Sequence, residues 1–238
     1  MVVLNRSKEG LILKIDPALI FEPEDTAYQD LILSGEELLF VKAGDSNSME
    51  LQTYCGKSYA NSPQTDLAFS YKTQGDSNMI AAFNYARTIG ANIYLTQQAV
   101  WFMTDKNKNL ASVYVYNQQK ESQKLMLFLA NKYGYEIPIY RLERNINSNF
   151  GEIAGAGMPL KLHVDLEWQL NSPEVLNLAI FNEDNQKIAT YFEGQSARKR
   201  NGKITASFET SSYPKGNYFV RLYNDSGIVI KEVMVPLE

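Results

Sequence analysis

The chain has 238 residues, enough for one large domain or two of ordinary size, each with its own hydrophobic core. Apolar residues make up 45% and charged residues 21%, the balance of a folded domain, which excludes general disorder. A formal net charge of -4 disfavours broad affinity for nucleic acid phosphate, and one cysteine with one histidine excludes an internal disulfide framework and a cysteine-rich zinc site.

In chain order, residues 10–15 and 37–42 read as strands, and 49–55, ending in Tyr54-Cys55, as another. Between the first two, Glu22, Glu24 and Asp25 flank Pro23 in an acidic turn that lacks the ligand spacing of a calcium loop. Asp76-Ser77 offers a helix N-cap, followed by Ala82, Tyr85, Ala86 and Ile89 at helical spacing, with Gly90 as the stop. A second helix is expected over 93–105. Its Leu95, Ala99, Val100, Trp101, Phe102 and Met103 leave almost no polar face, so it is buried. A third, over 118–133, carries Leu125, Phe128 and Leu129 on one side and ends before Gly134. Asp45, Asp66, Asp76 and Asp105 fall at loop or helix ends, where capping accounts for them. The fifteen Tyr and eleven Phe suit half-buried strand faces and binding surfaces alike.

Residues 145–158 are rich in Asn, Ser and Gly and mark the expected division of the chain. Beyond it Leu160, Leu162, Val164, Leu166 and Trp168 occupy alternate positions, as a half-buried strand requires. His163 falls on the opposite phase and is expected at the surface. Five more strands follow at short intervals, separated by turn residues such as Asn201-Gly202 and Pro214-Lys215-Gly216. This is the pattern of a small antiparallel β-sandwich. Arg198, Lys199, Arg200 and Lys203 cluster about Asn201-Gly202 and read as a solvated turn tip.

Chemistry has one candidate location. Gln97 shares a helical face with Ile93, Val100 and Trp101, the apolar side, whereas Gln98 projects about 100° away and is expected to face solvent. Tyr54-Cys55 and Thr96-Gln97-Gln98-Ala99-Val100-Trp101 together resemble the two motifs of the thioester domains of bacterial surface adhesins. That resemblance implies that the Cys55 sulfur and the Gln97 carbonyl join with loss of ammonia. The product is an electrophile that a partner's surface amine attacks to form a covalent tether. It also implies a part in binding for Tyr54 and Trp101 beside the pair. The sequence departs from the pattern at Gly56, where an apolar residue is usual. The alternative is that Cys55 is a buried small hydrophobe and Gln97 a satisfied core amide.

Residues 160–236, with Gly216-Asn217-Tyr218-Phe219-Val220-Arg221 and the Asp225-Ser226-Gly227 hairpin, resemble the C-terminal Ig-like sorting domains of proteins that Bacteroidetes secrete by the type IX system. A structural stalk is the alternative. Taken together, the expected fold is an α+β N-terminal domain, 1–150, of strands plus three helices, and an all-β Ig-like sandwich, 159–236. The expected function is surface adhesion through a protein or glycan ligand, covalent through Cys55 and Gln97. A non-covalent binding module is the alternative. No enzyme activity is expected, because neither a nucleophile–base pair nor a metal cluster can be assembled. No cofactor, metal or nucleic acid is expected, and no apolar run approaches the roughly 18–20 residues that cross a bilayer. The resemblances place the protein outside the cell or on its surface. Met1-Val2-Val3-Leu4 and Leu237-Glu238 read as engineered ends from which a natural signal peptide has been removed, so its lack says nothing of compartment.

Overall fold

Helical and alternating patterns in the sequence separate into two compact units, but the chain does not divide at a single cut. The structure, a computed structural model, describes all residues except Thr65, 106–108, 145–158, 199–200 and Glu238. Among the described residues the first unit takes in 1–109 and 118–135, and the second 110–117, 136–144 and 159–237. The break expected at 145–158 lies outside the described residues. The structure is rich in strands and carries the three expected helices, an α+β composition.

In the first unit the strands are β1 (Val2–Leu4), β2 (Leu11–Ile15), β3 (Leu19–Pro23), β4 (Leu31–Leu33), β5 (Glu37–Val41), β6 (Ser46–Ser48), β7 (Thr53–Cys55) and β8 (Phe69–Gln74). They pair as β1–β6, as β2–β5 and as a four-stranded antiparallel sheet in the order β7-β4-β3-β8. Three helices follow: α1 (Ser77–Thr88), α2 (Ile93–Thr104) and α3 (Gln119–Tyr133). The Asp76 carboxylate accepts the Met79 N–H at 2.8 Å, and the Asn92 side chain accepts the Leu95 N–H at 2.9 Å, so both helices start on a side-chain cap. Leu95, Val100, Leu125 and Leu129 are fully buried, each contributing about 1.5–3 kcal/mol by leaving water.

The second unit holds β9 (Tyr140–Glu143), β10 (Lys161–Gln169), β11 (Glu174–Phe181), β12 (Lys187–Ala197), β13 (Asn201–Glu209), β14 (Gly216–Asn224) and β15 (Val229–Leu237). A three-stranded sheet, β13-β10-β9, and a four-stranded one, β12-β11-β14-β15, share one apolar cluster that includes Leu162, Val164, Leu166, Leu178, Val220 and Leu222. A short 3-10 turn, Leu110–Ser112, adds Ala111 to that cluster.

Two features differ from expectation here. Tyr140–Glu143, within the residues assigned to the first domain, pairs with Lys161–Val164 and belongs to the second unit. Its four residues are too few for alternation to announce a strand. Asn201-Gly202 opens β13 instead of forming a turn, because Gly202 lies opposite Trp168. A Cβ at 202 would run into the indole, so glycine serves close packing rather than a bend. Of the expected basic tip, Lys199 and Arg200 lie outside the described residues, and Lys203 pairs with Glu167 at 2.8 Å.

Candidate functional site

Cys55 ends β7, the edge of the four-stranded sheet, opposite Leu31 of β4. At this position its backbone N–H and C=O face away from β4, the exposed liability of any edge strand. The Gln97 side chain meets both. Its Oε1 accepts the Cys55 N–H at 3.0 Å, and its Nε2 donates to the Cys55 C=O at 2.7 Å. One carboxamide thus does what a neighbouring strand would do, across a gap of 42 residues in sequence. Both residues are half-buried. Burial pushes the Cys55 thiol up to about 11, from 9.0, so at neutral pH the sulfur keeps its proton.

The turn after Cys55 is pinned from several sides. The Gly56 N–H donates to the Asp30 carbonyl at 2.7 Å, and the Lys57 N–H to Gln29 Oε1 at 3.3 Å. A Cβ on Gly56 would stand 3.2 Å from both the Asp30 Cβ and the Ile32 side chain. Both neighbours would have to give by a few tenths of an ångström to admit a side chain there. The Ser58 N–H donates to Asp105 Oδ1 at 3.2 Å and its hydroxyl to Oδ2, which ties the turn to the residue that ends α2. Burial pushes the Asp105 carboxyl up, against the two Ser58 bonds that pull it down. Lys57, the cation nearest Cys55 in sequence, is held by Asp30 at 2.7 Å, and Lys72 reaches the same carboxylate at 3.1 Å.

Tyr54 stacks on Phe83 with ring centroids 6.0 Å apart, and burial pushes its phenol up. Trp101 is a core side chain, 6% exposed, and presents no open ring face to a ligand. Helix α2 corrects two expectations. Ile93, placed with Gln97 on the apolar side, is exposed, and Gln98, expected in solvent, is 3% exposed. The helix is covered on nearly all sides from Leu95 onward, so a polar residue inside it has no outward direction to take. Among the described residues, Gln98 Nε2 and Trp101 Nε1 have no hydrogen-bond partner.

His163 also departs from expectation. It is on the outward phase of β10 as read, yet only 6% exposed, because Tyr114 and Tyr116 cover it with ring centroids 5.2 and 6.5 Å from its own. Its Nδ1 lies 2.8 Å from Ser207 Oγ and its Nε2 3.1 Å from Glu143 Oε2. A carboxylate only accepts, so Nε2 carries a proton toward Glu143, and in the neutral ring Nδ1 then accepts the Ser207 hydroxyl. Ser207 and Glu143 reach His163 only through strand register, so no local sequence pattern brings the three together. The outward phase of His163 was the one available signal.

Among the described residues no group of three or more His, Cys, Asp or Glu side chains could hold a metal ion, and no helix is long and apolar enough to cross a membrane. A comparison with protein-family models found none that matches this chain, and a comparison with curated proteins found no match either.

Proposed function

We propose that the first unit is a capture module of thioester-domain type in a secreted or surface-displayed binding protein, with Cys55 and Gln97 as its reactive pair. The observation that carries this reading is the reciprocal pair of hydrogen bonds between the Gln97 carboxamide and the Cys55 backbone. In bond formation Sγ joins the carboxamide carbon, the bond from that carbon to Nε2 breaks, and the thiol proton leaves with the nitrogen as ammonia. The Cys55 N–H already donates to Oε1, the oxygen on which negative charge grows during attack, which is the task of an oxyanion hole. The partial burial of both residues reduces the access of water that would hydrolyse the product. A protein or glycan amine of a surface partner then displaces the sulfur.

Intact mass measured on fresh protein tests this. A value short by one ammonia, replaced on methylamine treatment by the amide adduct, supports the bond. The full mass of the unmodified chain sinks it.

A second reading is favoured by the raised Cys55 thiol. A protonated sulfur is a poor nucleophile, and Gln97 already satisfies an edge strand. On that reading the unit binds a protein or glycan without a covalent step. For the second unit we propose an Ig-like sorting or stalk module, supported by two antiparallel sheets around one apolar cluster. Its fusion to a carrier and export by a type IX system is the matching assay, and periplasmic retention counts against sorting.

A further inference from the structure

On the outer face of the β13-β10-β9 sheet, cross-strand neighbours pair in rungs. Lys161 meets Glu209 at 3.0 Å and Lys203 meets Glu167 at 2.8 Å across β10 and β13, while Arg141, directly opposite His163 on β9, reaches diagonally to Asp165. All three are ion pairs, and the two lysine pairs are of the solvated kind usual on an open sheet face. The His163 rung is different. His163 and Ser207 face each other directly in the β10–β13 register, and Glu143 on β9 is the diagonal neighbour. The result is a hydroxyl, an imidazole and a carboxylate in series, with the ring packed beneath Tyr114 and Tyr116. Ser207 itself is exposed.

We infer that Ser207 is a nucleophile for acyl transfer, with His163 as its general base and Glu143 as the residue that positions the ring. A nucleophile within hydrogen-bond reach of a base, and that base oriented by a third group, is the arrangement that activates a serine. Ser207 Oγ bonds to the carbonyl carbon of an ester, and its proton passes to His163 Nδ1. The ester C–O bond breaks, and the departing alcohol takes that proton. Water then enters by the same route, releases the acid and restores the serine. Thr205 and Glu209, two positions either side on β13, are exposed like Ser207. The acyl group is therefore met on an open face, which suits activated carboxylic esters with small or extended acyl chains.

The test treats the full chain with a fluorophosphonate and maps the adduct by peptide mass. p-Nitrophenyl acetate turnover is followed in the Cys55→Ala protein, so that the thiol of the other unit cannot contribute. The expected result is a single adduct on Ser207 that is lost in Ser207→Ala, with a labelling rate reduced on the order of 100-fold in His163→Asn. Glu143→Gln, whose amide oxygen can still accept the Nε2 proton, should fold normally and label more slowly than the native protein. That variant keeps the question open to decision if His163→Asn does not fold. Absence of an adduct on Ser207, adducts scattered over tyrosines and lysines, or a folded Glu143→Gln protein that labels at the native rate would each overturn the assignment.

Discussion

Gln97 holds an edge strand by its backbone, so its removal exposes two groups at once. Gln97→Ala leaves the Cys55 N–H and C=O without their partners in a half-buried place. The expected loss is about 1–3 kcal/mol, read as a lower urea midpoint with an unchanged slope. Cys55 gives a second residue-scale expectation. With its thiol raised by burial to about 11, an open Cys55 should alkylate with iodoacetamide at pH 8 roughly 100 times more slowly than a free cysteine, with a rate that climbs toward pH 11. The same shift works on stability. The folded state holds the thiol proton more tightly than the unfolded one, so this contribution is whole below pH 9 and is lost as pH rises toward 11. A closed thioester shows no alkylation while the bond is intact. That residues 55 and 97 meet is legible only through the resemblance of their two short motifs to the adhesin pattern. The mode of contact was not, since it depends on Cys55 lying at a sheet edge built from strands far apart in sequence.

Elements explain which parts of the fold could be read. Two of the three helices carry punctuation that the sequence shows, Asp76 and Gly90 for α1 and Gly134 for α3. β3 and β4 had none, and they hold β7 in place through pairings that no local pattern encodes. The strands of the second unit were announced by alternation, but which strand lies beside which was not. That is why the expected turn at Gly202 is a packing site under Trp168, whereas His163 is covered by Tyr114 and Tyr116 from outside the strand run. Gly202→Ala should force the Trp168 indole out of place at a cost of about 1–3 kcal/mol, visible as a lower melting temperature together with a changed tryptophan emission. If emission and melting are both unaltered, the close approach at this pair is refuted.

At the scale of the whole molecule, the chain passes between its units at residues 109–110, 117–118 and 135–136. A cut at the Asn- and Gly-rich stretch therefore does not free the second unit intact. A fragment of residues 159–237 lacks Ala111 and Leu142, both buried members of the apolar cluster, and the whole of β9. It should be less stable than a version that keeps residues 136–144, by about 2–5 kcal/mol for the cavity left by Leu142 alone. Bared along one side of β10, it should also associate at high concentration. Chemical denaturation and light scattering on the two fragments decide this. Equal midpoints would show that β9 adds nothing.

The reach of Gln97 back to Cys55 has a mechanical side. Everything between them, including β8 and α1, becomes a closed ring once the sulfur and the carboxamide carbon are joined, and tension applied to the two chain ends then runs around that ring instead of through it. Stretched in a single-molecule experiment, the sealed form should come out shorter than the open form by roughly 140 Å, the extended span of the 42 positions enclosed. A tether built this way would yield less under drag, whatever it has caught.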